Sequence, residues 1–340
     1  MRAKRSNLEG ESAIQFTSIG EILVDFTPVV EDGATVGFRM HPGGSPYNVA
    51  VGLARLGAKV EFAGKASTDF FGRFLVAHLE REGVGTHFLS RTAAPSTLAF
   101  VAIKDGEPSF SFYVEGTADT HLSAADLPDA VTRTDFLHFG SISLLREPTA
   151  NTIVELVERL RRRAVLSCDP NIRPALIADA HAYQMRLTRL LQVADIIKIS
   201  ATDLRWLDPH RPMEDAAAAL TRTGPTLVVV TQGARGAYVR TATTEMRIPA
   251  HQVEVVDTVG AGDAFTSGLL FRLAGHGVKT RSDLEMVTPD ELEESLRFAA
   301  VSAALTCTRA GADPPRYAEI RSIVSPPRRA PRAPGGYPSR

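Results

Sequence analysis

Val256-Asp257-Thr258-Val259-Gly260-Ala261-Gly262-Asp263-Ala264-Phe265 carries a β-type run, Gln252 to Val256, through two glycines into an apolar helical pattern, with a carboxylate at the join. From Ala261 onward the apolar residues Ala264, Phe265, Leu269, Leu270, Leu273 and Ala274 recur at roughly the three-to-four-residue interval of a buried helix. The first turn of that helix should contain Gly260, Ala261, Gly262 and Asp263. A helix start leaves backbone N–H groups unpartnered and partially positive, and glycines there let an anion come close to the main chain. The stretch outlines a phosphate cradle, and Asp263 is the candidate general base for a hydroxyl driven onto phosphorus. The same residues admit a plainer reading, in which Asp263 complements the helix dipole and the glycines only permit a tight turn.

Composition narrows the field. At 340 residues, 44% hydrophobic and 23% charged, the chain can bury a sizeable core, as one large domain or two smaller ones. Its 38 basic and 39 acidic residues nearly cancel, which argues against nucleic acid or an anionic membrane as the main partner. Cys168 and Cys307 fall in apolar runs outside any C-x-x-C and read as reduced core residues. No apolar run reaches the roughly 18 to 20 residues that span a bilayer, and Met1 to Ser12 has no secretory core, so a soluble, cytoplasmic protein is expected. The nine histidines show no close pair at metal-ligand spacing.

Along the chain, Ile14 to Gly20 reads as a strand, followed by Glu21 to Asp25, which puts Asp25 just past a strand end, where an open α/β sheet holds ligands. It is a candidate for a polyol hydroxyl or an ordinary loop carboxylate. In His41-Pro42-Gly43-Gly44-Ser45-Pro46-Tyr47-Asn48, Ser45 is the expected N-cap, Pro46 opens the helix, and Gly57 closes it. Gly43 and Gly44 leave bare backbone beside that helix start, and the Asn48 amide, donor and acceptor together, matches vicinal hydroxyls. Val60 to Gly64 is a short strand and Asp69 to Glu82 an amphipathic helix. Leu98 to Ile103 and Ser109 to Val114 flank a turn at Lys104 to Glu107, a hairpin that is either a flap over the ligand edge or plain core.

Strands at Phe136 to Gly140, Val165 to Asp169, Ile196 to Ser200 and Leu227 to Thr231 then alternate with helical stretches, which implies a mainly parallel sheet covered by helices. Their ends carry Asp169-Pro170-Asn171-Ile172-Arg173, Ser200-Ala201-Thr202-Asp203 and Thr231-Gln232-Gly233-Ala234-Arg235-Gly236. Converging at one sheet edge, these supply acceptors for hydrated Mg²⁺, donors for phosphate and a fixed cation in Arg173. Tyr238 to Arg240 and Met246 to Ile248 form a further hairpin, and Glu291 to Thr306 a long helix.

At this point two motifs in order carry a resemblance. Asp257 to Phe265 resembles the C-terminal signature of the PfkB family of carbohydrate kinases, and Gly43 to Ala50, with Leu53-Ala54-Arg55-Leu56-Gly57, resembles its N-terminal signature. Asp169 to Pro174, Phe110 to Tyr113 with Gly116 to Asp119, and Thr308 to Asp313 are similar to the bacterial fructokinases of that family. The resemblance spans roughly Ile14 to Ile323. It implies an α/β, ribokinase-like fold: a mainly parallel central sheet flanked by helices, with a small β-sheet lid from segments about 25–40 and 97–114. One kinase domain would occupy 13–324, between a flexible tail at 1–12 and a Pro/Arg-rich tail at 325–340.

The resemblance implies an ATP-dependent sugar kinase with Asp263 as base and Gly260, Ala261 and Gly262 as the anion hole. Asp25, Gly43, Gly44, Asn48, Tyr113 and Arg173 would meet the sugar, and Ser200, Asp203, Thr231, Gly233 and Gly236 the nucleotide. Mg²⁺ would be reached through water by Asp203, and a monovalent cation such as K⁺ would lie near Asp257. The partners are then a sugar and ATP, with a second copy of the chain joined through the lid. One departure stands out: Ser200-Ala201-Thr202-Asp203 replaces the family's common Asn-x-x-Glu, so the metal's water shell would be held differently. Fructose is the expected sugar; 2-keto-3-deoxygluconate is the alternative, since Arg173 could meet a carboxylate. A nucleoside kinase, a non-catalytic binding relative and a dinucleotide oxidoreductase fit less well: no base-stacking pocket is evident, Asp263 is present, and Gly260-Ala261-Gly262-Asp263-Ala264-Phe265 lacks the third glycine.

Overall fold

β-branched runs alternating with amphipathic stretches favour parallel strands joined by helices, because each helix must carry the chain back across the sheet. The computed structural model describes residues 14–104 and 107–324, with backbone alone at 101–104 and 107–110, so both expected tails lie outside the described residues. β1 (Gln15–Ile19), β2 (Leu23–Glu31) and β3 (Ala34–Gly43) precede α1 (Ser45–Leu56), β4 (Lys59–Ser67), α2 (Phe70–Arg81) and β5 (Gly85–Thr92). A hairpin of β6 (Thr97–Lys104) and β7 (Glu107–Tyr113) follows. The alternation resumes with β8 (Phe136–Gly140), α3 (Thr149–Leu160), β9 (Val165–Asp169), α4 (Ala180–Val193) and β10 (Ile196–Ser200). Next come α5 (Ala201–Leu207), α6 (Met213–Thr223), β11 (Leu227–Thr231), β12 (Ala237–Arg240) and β13 (Glu245–Ile248). The last helices are α7 (Ala261–Gly275), α8 (Arg281–Glu285), α9 (Pro289–Cys307) and α10 (Tyr317–Val324).

The central sheet runs β13-β12-β11-β10-β9-β8-β1-β4-β5, parallel from β11 to β5, with β12 and β13 added antiparallel. Every residue of β8 and β9 is buried, the pattern of strands covered on both faces. One apolar cluster joins α1, α2, α7 and α9 through Leu53, Leu79, Leu269 and Leu296, and a second joins α3, α4 and α6 through Leu156, Leu187 and Ala217. The second sheet, β3-β2-β6-β7, is the lid: β2 pairs antiparallel with β3 and parallel with β6, and β6 antiparallel with β7.

Three local expectations change. Gln252 to Val256 is not a strand: 251–260 carries no regular element, Val255 and Val256 are exposed, and the N–H groups of Val256 and Asp257 donate to the Cys307 carbonyl at 2.8 and 3.2 Å. A β-type composition finds no partner strand there, so the backbone is satisfied by the end of α9. Asp25 lies within lid strand β2, opposite His41, and not past the end of β1. The N-cap of α1 is Gly44, which frees the Ser45 hydroxyl for another partner. The strand β5 carries no alternation strong enough to have been read.

Helices α1 and α7 lie against each other at Gly52, where a Cβ would come 2.4 Å from Ser267 Oγ and 2.8 Å from its Cβ. Glycine is required there because α7 occupies the space. Gly52→Val should therefore destabilise the fold by about 1–3 kcal/mol through overpacking, measured as a lower midpoint in denaturant. An unchanged midpoint would show that the two helices have slack.

Candidate active site

Asp263 sits in the first turn of α7, 8% exposed, and both of its oxygens are held by α1. The Ser45 hydroxyl donates to Oδ1 at 2.6 Å and the Asn48 amide to Oδ2 at 2.8 Å. Behind them Glu21 is fully buried; its Oε1 accepts from the Ser45 N–H at 3.0 Å, and its Oε2 accepts from the Ser143 N–H at 3.2 Å and from the Ser143 hydroxyl. Asn48, expected at the sugar, therefore gives one of its two N–H donors to Asp263, while the residue still lines the cleft.

Burial pushes the Asp263 carboxyl up to about 6, against the pull of the Lys198 charge and the Ser45 and Asn48 hydrogen bonds. Asp25 is pushed higher, to about 7, by burial and then by the charge of Asp263, with Arg173 opposing. Both carboxyls are thus held above the ordinary carboxylate range, and at Asp263 the Lys198 charge and two hydrogen bonds favour the ionised form.

The cleft is lined from the lid by Asp25, Thr27, His41 and Phe112, and from the body by Gly44, Arg173, Asp257 and Gly260. Arg173 is exposed, its guanidinium donating to the Asn171 and Ile172 carbonyls at 3.3 and 3.1 Å. Gly43 pairs with Leu23 at the end of the β2–β3 ladder. Asp257 accepts from the Val259 and Gly311 N–H groups at 3.1 and 2.8 Å. Thr231, Gly233 and Gly236 line an adjoining hollow walled by Val253, Val255 and Ala304, which also holds Ala261. The two hollows share Thr258 and Gly262, at the mouth of α7.

Two expected groups fall elsewhere. Tyr113 is 63% exposed and lines a separate hollow but not the cleft, whereas its neighbour Phe112 borders both. Ser200 caps α5 by accepting the Asp203 N–H at 3.0 Å, and neither residue lines the cleft or the adjoining hollow. Asp203 is nonetheless close enough to feel the charges of Asp169, Arg173 and Lys198.

Sequence reading also missed Lys198, a buried lysine inside the apolar strand β10, ion-paired with Asp169 and lining the cleft. A lysine within Ile196-Ile197-Lys198-Ile199 was the available signal, because lysine is rarely buried without a partner.

A buried acid lining a cleft under a lid, next in sequence to Gly262, which that cleft shares with a more apolar hollow at the strand ends, suits transfer of a phosphoryl group to a hydroxyl. Residues 14–318 match the pfkB family carbohydrate kinase description, and the chain belongs to that family. It is 37% identical to a fructokinase of Rhizobium leguminosarum bv. trifolii over 262 residues, 77% of this chain and 80% of that one. Its fold is similar to that of fructokinase from Xylella fastidiosa with bound ATP, at TM-score 0.85 and 33% identity, over 91% of this chain and 98% of that chain. It is also similar to a fructokinase double mutant from Vibrio cholerae O395 with fructose, ADP and potassium ion bound, at TM-score 0.82 and 30% identity, covering 93% and 100%.

Asp263 must be ionised to accept a proton, and its folded pKa of about 6 lies above the ordinary carboxylate value, so kcat/KM should fall as pH drops through about 6. Ser45→Ala and Asn48→Ala each remove a hydrogen bond that stabilises the ionised form, and both should move that acid limb to higher pH. Asp263→Asn should lower kcat by roughly 10² to 10⁴-fold. A flat profile between pH 5 and 8, or near-normal turnover in the asparagine variant, would remove Asp263 from the chemistry.

Proposed function

We propose that the chain is an ATP-dependent fructokinase. The observation that carries this is Asp263, clamped in the mouth of α7 where the two hollows meet. Its relatives named fructokinase, from Rhizobium to Zea mays, support the choice of sugar. The acceptor hydroxyl lies beside Asp263, which takes its proton as the new O–P bond forms. The bond between the γ-phosphorus and the β–γ bridging oxygen breaks, and its electron pair leaves on ADP. The amides at the start of α7, Gly260 to Gly262, face the charge on the group in transfer. The lid residues Thr27, His41 and Phe112 cover the sugar and limit access of water.

The nucleotide occupies the hollow at Thr231, Gly233 and Gly236, where Val253, Val255 and Ala304 offer apolar surface to a base. Among the described residues no group of three or more His, Cys, Asp or Glu could by itself hold a metal. Mg²⁺ would meet the protein through water, with Asp203 the acid we assign to it although that residue lines neither hollow. When bound it would neutralise phosphate charge. Asp257 is the residue we assign to a monovalent cation.

Arg173 keeps a second sugar open, because a guanidinium on the cleft also suits the carboxylate of 2-keto-3-deoxygluconate. A coupled ADP-release assay across fructose, ribose, 2-keto-3-deoxygluconate and adenosine, in potassium and in tetramethylammonium salts, tests the reading. Fructose should give the highest kcat/KM, with potassium raising it. A higher value for 2-keto-3-deoxygluconate would transfer the assignment, and no turnover of any sugar would end it.

We also infer a homodimer through the lid, whose Val30, Val36 and Phe38 are exposed. Sedimentation equilibrium should give a dimer that Val36→Glu with Phe38→Glu dissociates. A monomeric wild type would dismiss it.

Among the described residues no helix is long and apolar enough to cross a membrane.

A further inference from the structure

Lys198 is one of the least expected charges in the chain: 5% exposed, on a strand whose Ile196, Ile197 and Ile199 are core residues. Burying an ammonium is costly unless it is paired, and its partner is Asp169 at the end of β9. The β9–β10 register pairs Ile197 with Cys168, which puts Lys198 level with Asp169. Stability alone gives a weak reason to keep such a pair, since apolar replacements are often as stable. Its position gives a stronger one. A Cβ built on Gly262 would lie 2.7 Å from Lys198 Nζ, so the ammonium stands directly over the first turn of α7. A side chain at Gly262 would have to displace the ammonium from that position.

We propose that Lys198 contacts the phosphoryl group in transfer, completing with the amides of α7 a site that binds the transition state more tightly than the substrates. This rests on the kinase reading above. An ammonium has three N–H donors, and among the described residues Asp169 is the side-chain acceptor recorded for it, so it retains donor capacity for phosphate oxygens entering the cleft it lines. A group seated on the Gly262 amide would lie within contact of Nζ. Asp169 holds the ammonium in place and offsets its charge before ATP arrives. The geometry also accounts for Lys198 being the leading influence that keeps Asp263 from rising further.

The test uses Lys198→Met, Asp169→Asn and the double variant beside the wild type. Lys198→Met leaves Asp169 as a buried uncompensated charge and is at risk of not folding, and the double variant removes that charge as well. In the double variant kcat should fall by roughly 10² to 10³-fold, at pH 9 as much as at pH 7, with fructose KM within about threefold of wild type. Asp169→Asn, which keeps the ammonium, should lose less than about tenfold. Affinity for ADP with aluminium fluoride, a mimic of the group in flight, should drop in the double variant far more than affinity for ADP alone. Recovery of kcat at pH 9 would mean that Lys198 acts only through the ionisation of Asp263, and equal loss in Asp169→Asn would mean that the pair is structural. Either result overturns the proposal, whereas an inactive wild type would instead overturn the kinase reading.

Discussion

Asp263 is fixed by two hydrogen bonds from residues more than two hundred positions earlier in the chain, Ser45 and Asn48 on α1. The site exists because two helix starts, each preceded by glycine, are brought mouth to mouth. Glu21 extends the clamp by holding the Ser45 N–H and Ser143 together in a fully buried cluster. The close approach at Gly52 then sets how near the two helices lie, so packing in the core decides a distance at the reacting atoms.

The electrostatic consequence is a cleft rich in acids whose ionisation is graded by surroundings. Asp25 and Asp263 both resist ionisation, yet they differ because Asp263 has Lys198, Ser45 and Asn48 to stabilise its charge, while Asp25 has the charge of Asp263 against it. Asp25 comes from a lid strand and Asp263 from the body. Their repulsion is therefore sensitive to how the lid sits, and a polyol between them would relieve it by accepting a hydrogen bond from one and donating to the other.

Much of this was legible in the sequence because it depends on local rules. Period-two runs and helix punctuation located the parallel strands, and Gly260 to Asp263 lies at a helix start because the apolar spacing after it has no other reading. What was not legible depends on tertiary placement. Ser45 looked like a cap, and only the structure shows its hydroxyl turned to Asp263 while Gly44 takes the cap position. Gln252 to Val256 had strand composition without a partner strand, which no local rule detects. Tyr113 and Phe112 differ by one residue, yet only Phe112 reaches the cleft. Lys198 was detectable as an anomaly of burial, but its proximity to Gly262 was not.

The irregular backbone before α7 has a role that a strand could not perform. A strand would direct its N–H and C=O groups into a ladder. Here the N–H groups of Val256 and Asp257 converge on the last carbonyl of α9, while the Asp257 carboxylate takes the amides of Val259 and Gly311. The segment is thereby hung from the C-terminal end of α9, whose Ala300, Ala303 and Ala304 wall the more apolar hollow. Thr258 and Gly262 then line both hollows. The segment that leads into α7 is thus held by the end of α9 on one side and borders both hollows on the other, although it belongs to neither sheet.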